Sequence, residues 1–318
     1  MSEAASSSLS RRGVIAAALA SGAAWLYRRP TLAAGAATTD LPLITKAIAS
    51  SGEKLPVIGI GTNAFSLRSP DEQAARVALI QRMLQLGGTV IDTAAIYGGS
   101  EGVIGDALAS LGVRNKMFVS TKVMARDADS AKSQMEDSFQ HLKTDRVDLM
   151  SVHNLVGLDA VLPLVQEWKK SGRVRYVGIT TSEPRQHPQM LEAMQKYTLD
   201  FIQVDYSLGN RAAAEQVLPL AQERKIAVLV NVPFGGRRGA NMFPKVAGKA
   251  LPAWAADFDA QSWGQLFLKY VVSHPAVVCA IPGTTETAHL EDNQRGGRGR
   301  LPDAAQRQRL ESFWDGLA

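Results

Sequence analysis

The stretch VIDTAAIYGGSE, residues 90–101, ends a short apolar run with an aspartate and places a tyrosine five residues later. Short apolar runs rich in β-branched residues occur eight times, at 57–61, 90–94, 117–123, 148–154, 174–180, 201–207, 227–233 and 277–283. Longer segments such as 71–87 separate them, with apolar residues every three or four positions, which is typical of amphipathic helices. Eight strands alternating with helices predict an α/β fold, a closed (β/α)8 TIM barrel.

Two other arrangements fit parts of this pattern. An open doubly wound sheet is the alternative for the same alternation of strands and helices. GIGTNA, residues 59–64, matches a dinucleotide-binding glycine motif, but FSLRSP separates it from the next helical segment and no acidic residue follows at the required spacing.

Ahead of the first strand, Ser51-Gly52 lies between two short extended pieces, which predicts a β-hairpin at the bottom of the barrel.

The first 37 residues have the features of a targeting segment. Arg11 and Arg12 precede 15 uncharged residues, and Ala34-Gly35-Ala36 matches a small-residue cleavage site. The paired arginines resemble a twin-arginine signal, so we expect residues 1–37 to be cleaved and the protein to be periplasmic or otherwise exported. An uncleaved membrane anchor and a cytoplasmic location are the alternatives, although 15 residues fall short of the roughly 20 that span a bilayer.

No linker-like segment interrupts residues 38–318, which we therefore expect to form one barrel domain. Of the net charge of +5, residues 1–36 carry +3, and the remainder shows no basic stripe of the kind that nucleic-acid binding requires. The single cysteine, Cys279, excludes an intramolecular disulfide and any multi-cysteine metal site, and its apolar surroundings predict a buried thiol. We expect no metal site, no nucleic-acid partner and no membrane span after cleavage.

Four polar residues follow adjacent predicted strands at the end where barrel enzymes place their active sites. Asp92 and Tyr97 follow the second strand, Lys122 ends the third and His153 ends the fourth. A lysine within an apolar strand requires a partner when it is buried, and Asp92 is suitably placed to provide one.

These four residue types together make a proton-donating site. A free tyrosine is a weak acid at neutral pH, and a neighbouring ammonium favours the tyrosinate. A paired aspartate keeps the lysine charged, while a histidine can hydrogen-bond a substrate oxygen. Such a group can protonate an alkoxide as it forms, but no side chain supplies an electron pair, so a hydride cofactor is implied.

The chain resembles the aldo/keto reductase family over nearly all of residues 43–293. The motifs that carry the resemblance are LPVIGIGT (55–62), VIDTAAIYGGSEGVIGDAL (90–108), FVSTKV (118–123), DRVDLMSVHN (145–154), RYVGIT (175–180), IQVDYSLGNR (202–211) and IPGTTETAHLEDN (281–293). The resemblance implies that Tyr97 is the proton donor, that Lys122 makes it a stronger acid, that Asp92 supports Lys122 and that His153 orients a carbonyl. It also implies an NADPH cofactor, with NADH as the alternative.

The resemblance places cofactor contacts at the strand ends. The positions that match are Gly61, Thr62, Asn63, Thr180, Thr181, Gln203, Asn231, Phe234, Gly235, Gly236, Thr284 and Asn293. Two of these depart from the family pattern: Thr181 stands where an asparagine is usual, and Asn231 where an aromatic residue stacks on nicotinamide, with Phe234 as the candidate substitute. Where lysine and arginine usually pair with the adenosine 2′-phosphate, this chain has Gly283 and His289, which leaves Arg295 or Arg298 as candidates.

Three functions are compatible with these residues. The favoured one is reduction of a small-molecule aldehyde or ketone. The second is an exported nicotinamide-dinucleotide-binding subunit or redox sensor with little turnover, and the third is a barrel isomerase or aldolase that uses Lys122 as a Schiff base. If the chain is a carbonyl reductase, the long loop after the seventh strand sets its substrate specificity. We expect Trp254 and Phe258 from this loop to line the substrate pocket.

Overall fold

The computed structural model describes residues 41–67, 69–236 and 241–317, so the predicted export signal lies outside the described residues. Eight parallel strands form one sheet in chain order. They are β3 (Ile60–Gly61), β4 (Val90–Asp92), β5 (Phe118–Val123), β6 (Val147–Val152), β7 (Val174–Thr180), β8 (Phe201–Asp205), β9 (Ala227–Asn231) and β10 (Val277–Ala280). The bridges Ile58–Ala280 and Gly61–Gly283 bring the last strand back to the first. The barrel prediction is confirmed, and the open doubly wound alternative is wrong.

Helices pack on the outside of the barrel, where they connect successive strands or follow the last strand. They are α1 (Pro70–Gln85), α2 (Ser100–Leu111), α3 (Ala128–His141), α4 (Leu158–Lys170), α5 (His187–Lys196), α6 (Val217–Glu223), α7 (Phe243–Val246), α8 (Trp263–Ser273), α9 (Thr287–Gly296) and α10 (Ala304–Gly316). Among them, α6 is short, with seven residues. It begins at Val217 after a separate 3-10 turn, which places Pro219 in its first turn, where a missing N–H is tolerated.

The N-terminal hairpin closes the bottom of the barrel, as predicted. Strands β1 (Thr45–Ala47) and β2 (Lys54–Pro56) pair antiparallel around a turn in which Gly52 has a φ of +76°. Ile48 and Leu55 pack with a buried cluster drawn from the barrel strands, including Phe118 and Phe201. The cluster fills the barrel interior at this end with apolar side chains. A site made of polar side chains therefore has room only at the opposite end.

The alternation of side chains along β5 shows how a buried strand carries both packing and chemistry. All six residues of FVSTKV are buried. Val119 packs in the core between sheet and helices, whereas Phe118 belongs to the cluster in the barrel interior. Because side chains alternate with a period of two, Ser120 and Lys122 also face the interior, progressively nearer the mouth.

None of the helices in the described part of the chain combines the length and the hydrophobicity that a membrane span requires.

Candidate active site

The structure brings Asp92 and Lys122 into a buried ion pair. Lys122 Nζ lies 2.6 Å from Asp92 Oδ2 and also donates to the carbonyl of Thr93 at 2.6 Å. The side chain of Lys122 is 0% exposed. Burial opposes its charge, but the Asp92 carboxylate and the Tyr97 phenol together raise the pKa of Lys122 above its usual value. The lysine is therefore a fixed cation.

Tyr97 lies above this pair at the mouth of the barrel. Its ring is half-buried, and its centroid is 5.1 Å from Lys122 Nζ. The loop that carries it turns through Gly98 and Gly99, with φ of +58° and +88°, a conformation that favours glycine. The buried hydroxyl of Ser100, the first residue of α2, donates to Thr62 Oγ1 at 2.9 Å. This contact holds the end of the tyrosine loop against the loop after the first barrel strand.

His153 stands beside Tyr97 as a neutral imidazole. The two rings meet edge to face, with centroids 5.9 Å apart. Burial, reinforced by the Lys122 cation, lowers the pKa of His153 to about 3. A neutral imidazole carries one N–H, so at physiological pH His153 can donate a hydrogen bond without acting as a cation.

A cavity of about 820 Å³ opens over these residues. This volume lies within the range of roughly 300–1,000 Å³ that is usual for ligand pockets. Its lining includes most of the predicted site residues, namely Asp92, Tyr97, His153, Gly61, Thr62, Asn63, Thr180, Gln203, Asn231, Phe234, Gly235, Thr284 and Asn293. Lys122 lies beneath it, in contact with Asp92.

Two predicted cofactor residues lie outside the lining of this cavity, Thr181 and Gly236. The Thr181 side chain is fully buried, with its hydroxyl 3.8 Å from the sulfur of Met190. Its carbonyl instead accepts a hydrogen bond of 2.8 Å from Asn231 Nδ2. This hydrogen bond holds the Asn231 side chain at the mouth of the barrel, at the position where the family pattern has an aromatic ring.

The prediction that Trp254 and Phe258 line the pocket is wrong. Trp254 packs edge to face on Phe313 of the C-terminal helix, and Phe258 is buried in the core. The long loop instead contributes Phe243, which packs against Phe234 with ring centroids 5.1 Å apart. The aromatic residues of the loop divide between the core and the cavity according to contacts with distant segments.

Arg298 does not reach the cavity. Its guanidinium donates to the carbonyls of Leu41 at 2.8 Å and Leu86 at 2.7 Å, beside the N-terminal hairpin. Glu286 and Asp292 contribute carboxylates at the β10–α9 end of the cavity, and none of its described lining residues is a lysine or an arginine. Within the described ranges, no group of three or more His, Cys, Asp or Glu side chains could hold a metal ion.

Sequence reasoning missed several polar residues of the site. Ser120 donates to Asp92 Oδ1 at 2.8 Å, and it could have been found because it precedes Lys122 by two residues on one strand. Asn154, in the 3-10 turn after β6, and Asn241, in the long connection after β9, also line the cavity. No periodic pattern marks residues of such connections, and the sequence offers no signal for these two.

Comparison with known proteins identifies relatives of this arrangement. The model of the aldo/keto reductase family matches residues 57–314. The methylglyoxal reductase YeaE of Escherichia coli is 28% identical over 257 residues, which cover 78% of this chain and 88% of that protein. The aldo-keto reductase YhdN of Bacillus subtilis is 30% identical over 200 residues, covering 58% and 60% of the two chains.

Solved structures show the same fold. The holo form of aldo-keto reductase AKR11C1 from Bacillus halodurans superposes with a TM-score of 0.71 at 23% identity, covering 86% of this chain and 96% of that one. An aldo/keto reductase from Klebsiella pneumoniae, solved with NADP and acetate, superposes with a TM-score of 0.65 at 22% identity, covering 83% and 93%.

Proposed function

The chain belongs to the aldo/keto reductase family, and from that premise we propose that it reduces an aldehyde or ketone to the alcohol with NADPH. The observation that carries the proposal is the arrangement of Tyr97, whose half-buried ring faces a fixed lysine cation and a neutral histidine at the mouth of a cavity. Nothing else in the cavity lining combines an acidic hydroxyl with a neighbouring positive charge among the described residues.

In the proposed reaction Tyr97 supplies the proton. As negative charge develops on the carbonyl oxygen, the phenol Oη transfers its proton to that oxygen and becomes a tyrosinate. The Lys122 ammonium stabilises this tyrosinate, and Asp92 holds the ammonium in place. His153, neutral at the pH of the reaction, donates its N–H to the carbonyl oxygen and aims it at Tyr97.

The cavity fits a nicotinamide dinucleotide. When bound, NADPH supplies a hydride to the carbonyl carbon. The first and last barrel strands approach each other closely beside the cavity. A Cβ at Gly61 would lie 2.9 Å from the carbonyl oxygen of Ile281, so a glycine is needed at this position. Gln203 donates a hydrogen bond from Nε2 to Asp92 Oδ1, which leaves its carbonyl oxygen to accept a hydrogen bond from a cofactor amide. We propose that the cavity residues from Gly61 to Asn293 predicted above hold the cofactor.

The proposal is tested by fluorescence titration of the purified protein with NADPH and, separately, NADH, followed by assays of carbonyl reduction. Methylglyoxal is a suitable first substrate because the E. coli relative is named a methylglyoxal reductase. We expect NADPH to bind and to be oxidised when an aldehyde is added. Binding without turnover across a panel of aldehydes and ketones would favour the sensor alternative, and no binding of either nucleotide would contradict both.

The environment of Lys122 argues against the Schiff-base alternative. A Schiff base requires a neutral amine with room for a carbonyl, whereas Nζ is buried, charged and held by Asp92 and the Thr93 carbonyl. Borohydride treatment in the presence of substrate is therefore expected to leave Lys122 unmodified. A trapped substrate–Lys122 adduct would support an aldolase-type reaction instead.

We also propose that residues 1–37 direct export through a twin-arginine pathway and are then removed. The support is the sequence pattern of Arg11-Arg12, the apolar segment and the Ala34-Gly35-Ala36 site. Replacing both arginines by lysine is expected to retain the full-length chain in the cytoplasm of a bacterial host. Unchanged processing of the variant to a shorter periplasmic form would contradict the proposal.

A further inference from the structure

The two oxygens of the Asp92 carboxylate have different partners. Oδ2 lies 2.6 Å from Lys122 Nζ. Oδ1 accepts two hydrogen bonds, one of 2.8 Å from Ser120 Oγ and one of 2.9 Å from Gln203 Nε2. Asp92, Ser120 and Gln203 are all buried. The carboxylate is therefore held from three directions in a place that excludes most water.

These contacts come from different parts of the barrel. Ser120 belongs to β5, the strand next to Asp92, whereas Gln203 belongs to β8, four strands away in the sheet order. The Gln203 side chain reaches Asp92 across the barrel interior. Its amide orientation is fixed, because only the nitrogen can donate to a carboxylate. With Oδ1 occupied on two sides, the carboxylate cannot rotate without breaking both hydrogen bonds.

We propose that Ser120 and Gln203 are positioning residues for proton transfer: by holding Asp92 Oδ1 they keep Oδ2 on Lys122 and so keep the ammonium under Tyr97. The inference rests on the proposed reductase function and deepens it. Neither residue acts on Tyr97 directly, and the effect of each passes through the carboxylate. A less firmly held carboxylate stabilises the Lys122 ammonium less, and the ammonium in turn stabilises the tyrosinate less.

The two residues differ in one informative respect. Gln203 lines the cavity, and its carbonyl oxygen makes no hydrogen bond to the described residues, so this oxygen would be available to a bound cofactor. Ser120 does not line the cavity. Loss of Gln203 should therefore alter both cofactor binding and proton transfer, while loss of Ser120 should alter proton transfer alone.

The central experiment compares Ser120→Ala with Ser151→Ala. Ser151 is a matched control, because it is also a buried serine, pairs in register with Lys122 from β6 and makes no hydrogen bond to Asp92. For Ser120→Ala we expect kcat to fall by about tenfold, with KM and the NADPH dissociation constant within about twofold of the wild type. We also expect the alkaline limb of the kcat–pH profile to move to higher pH, because a less firmly held ammonium stabilises the tyrosinate less and the proton donor keeps its proton longer. Ser120→Thr, which keeps the hydroxyl, should restore the wild-type profile.

Three results would overturn the inference. One is an unchanged kcat and pH profile in Ser120→Ala, another is an equal change in Ser151→Ala, and the third is a loss of NADPH binding in Ser120→Ala comparable to the loss of kcat. If Ser120→Ala does not fold, Gln203→Leu carries the test through the same displacement of the alkaline limb.

The inference can be separated from the proposed function. If the wild-type protein reduces no carbonyl compound, the pKa of Lys122 is measured directly by NMR of protein labelled at lysine. The inference then requires a lower pKa of Lys122 in Ser120→Ala, or in Gln203→Leu where the serine variant does not fold, than in the wild type. An unchanged pKa would refute it independently of turnover.

Discussion

The two ends of the barrel each hold a lysine in a sheltered position, and their partners give them opposite properties. At the mouth, Lys122 pairs with the Asp92 carboxylate, and its pKa lies above the usual value. At the bottom, Lys46 donates to the carbonyls of Val272, His274 and Val277 at 2.6–2.9 Å. Burial, with a contribution from the Arg307 cation, lowers the pKa of Lys46 to about 8.

The difference shows what a carboxylate adds beyond hydrogen bonding. Three carbonyls satisfy the donors of Lys46, yet they do not balance its charge, and the neutral form is favoured relative to water. The Asp92 carboxylate beside Lys122 balances the charge, and together with the Tyr97 phenol it outweighs the effect of complete burial on the pKa of Lys122. The mouth is therefore arranged to keep a cation in place, whereas the lysine at the bottom fastens the hairpin to the barrel.

The largest expected effect comes from removing the cation at the mouth. Lys122→Met leaves the buried Asp92 carboxylate without a counter-charge, which is expected to destabilise the protein by about 3–5 kcal/mol. Carbonyl reduction is expected to fall at least about a hundredfold, because the tyrosinate loses its stabilising charge. Urea unfolding and steady-state assays measure the two losses.

A double variant, Asp92→Asn with Lys122→Met, separates these losses. It should recover part of the stability, since no unpaired charge remains, and none of the activity. Recovery of activity would show that the ion pair serves only the fold.

The two lysines should also show opposite dependence of stability on pH. The folded-state pKa of Lys46 is about 8, below its ordinary value of 10.5, so between these values the unfolded chain binds more protons and this group makes stability rise with pH. For Lys122 the folded value is raised, so its stabilising contribution is present below 10.5 and is lost as pH rises through the folded value.

Urea unfolding of the wild type, Lys46→Met and Lys122→Met across this alkaline range measures the contrast. The wild type should gain stability relative to Lys46→Met as pH rises from 8 to 10.5. It should lose stability relative to Lys122→Met only at higher pH. Parallel curves for the three proteins would contradict the assigned difference.

A smaller effect is expected at His153. Because its pKa is about 3, His153 stays neutral throughout the physiological range. The profile of kcat/KM against pH should therefore show no inflection from this residue between about pH 5 and 7. His153→Gln keeps an N–H donor and should lower kcat/KM by about tenfold without changing the shape of the profile. An inflection near pH 6.5 that disappears in this variant would show that His153 titrates during the reaction.

The sequence predicts the barrel well because short-range signals encode its parts. The alternation of short β-branched runs with amphipathic segments predicts each of the eight strands, and the spacing in 90–101 places Tyr97 on the loop after Asp92. The predictions that were wrong concern side chains whose positions depend on contacts between distant segments. Trp254 turns toward Phe313, and Arg298 toward Leu41, for reasons that no local pattern contains.

The candidate site shows the same division. The residue types at the strand ends could be assigned from the sequence, since parallel strands bring their carboxyl ends together. The hydrogen bond from Gln203 to Asp92 joins strands on different sides of the barrel, and its formation depends on the diameter of the closed sheet. Thr181 faces away from the cavity, an orientation that its position after a strand does not reveal.

The most direct test of the proton-donor role of Tyr97 is the activity of Tyr97→Phe alongside its affinity for NADPH. The substitution removes only the phenol oxygen, so the ring and the cavity remain. We expect NADPH to bind with an affinity within about threefold of the wild type, while carbonyl reduction falls by about 10²–10⁴-fold. Carbonyl reduction at the wild-type rate in Tyr97→Phe would contradict the account.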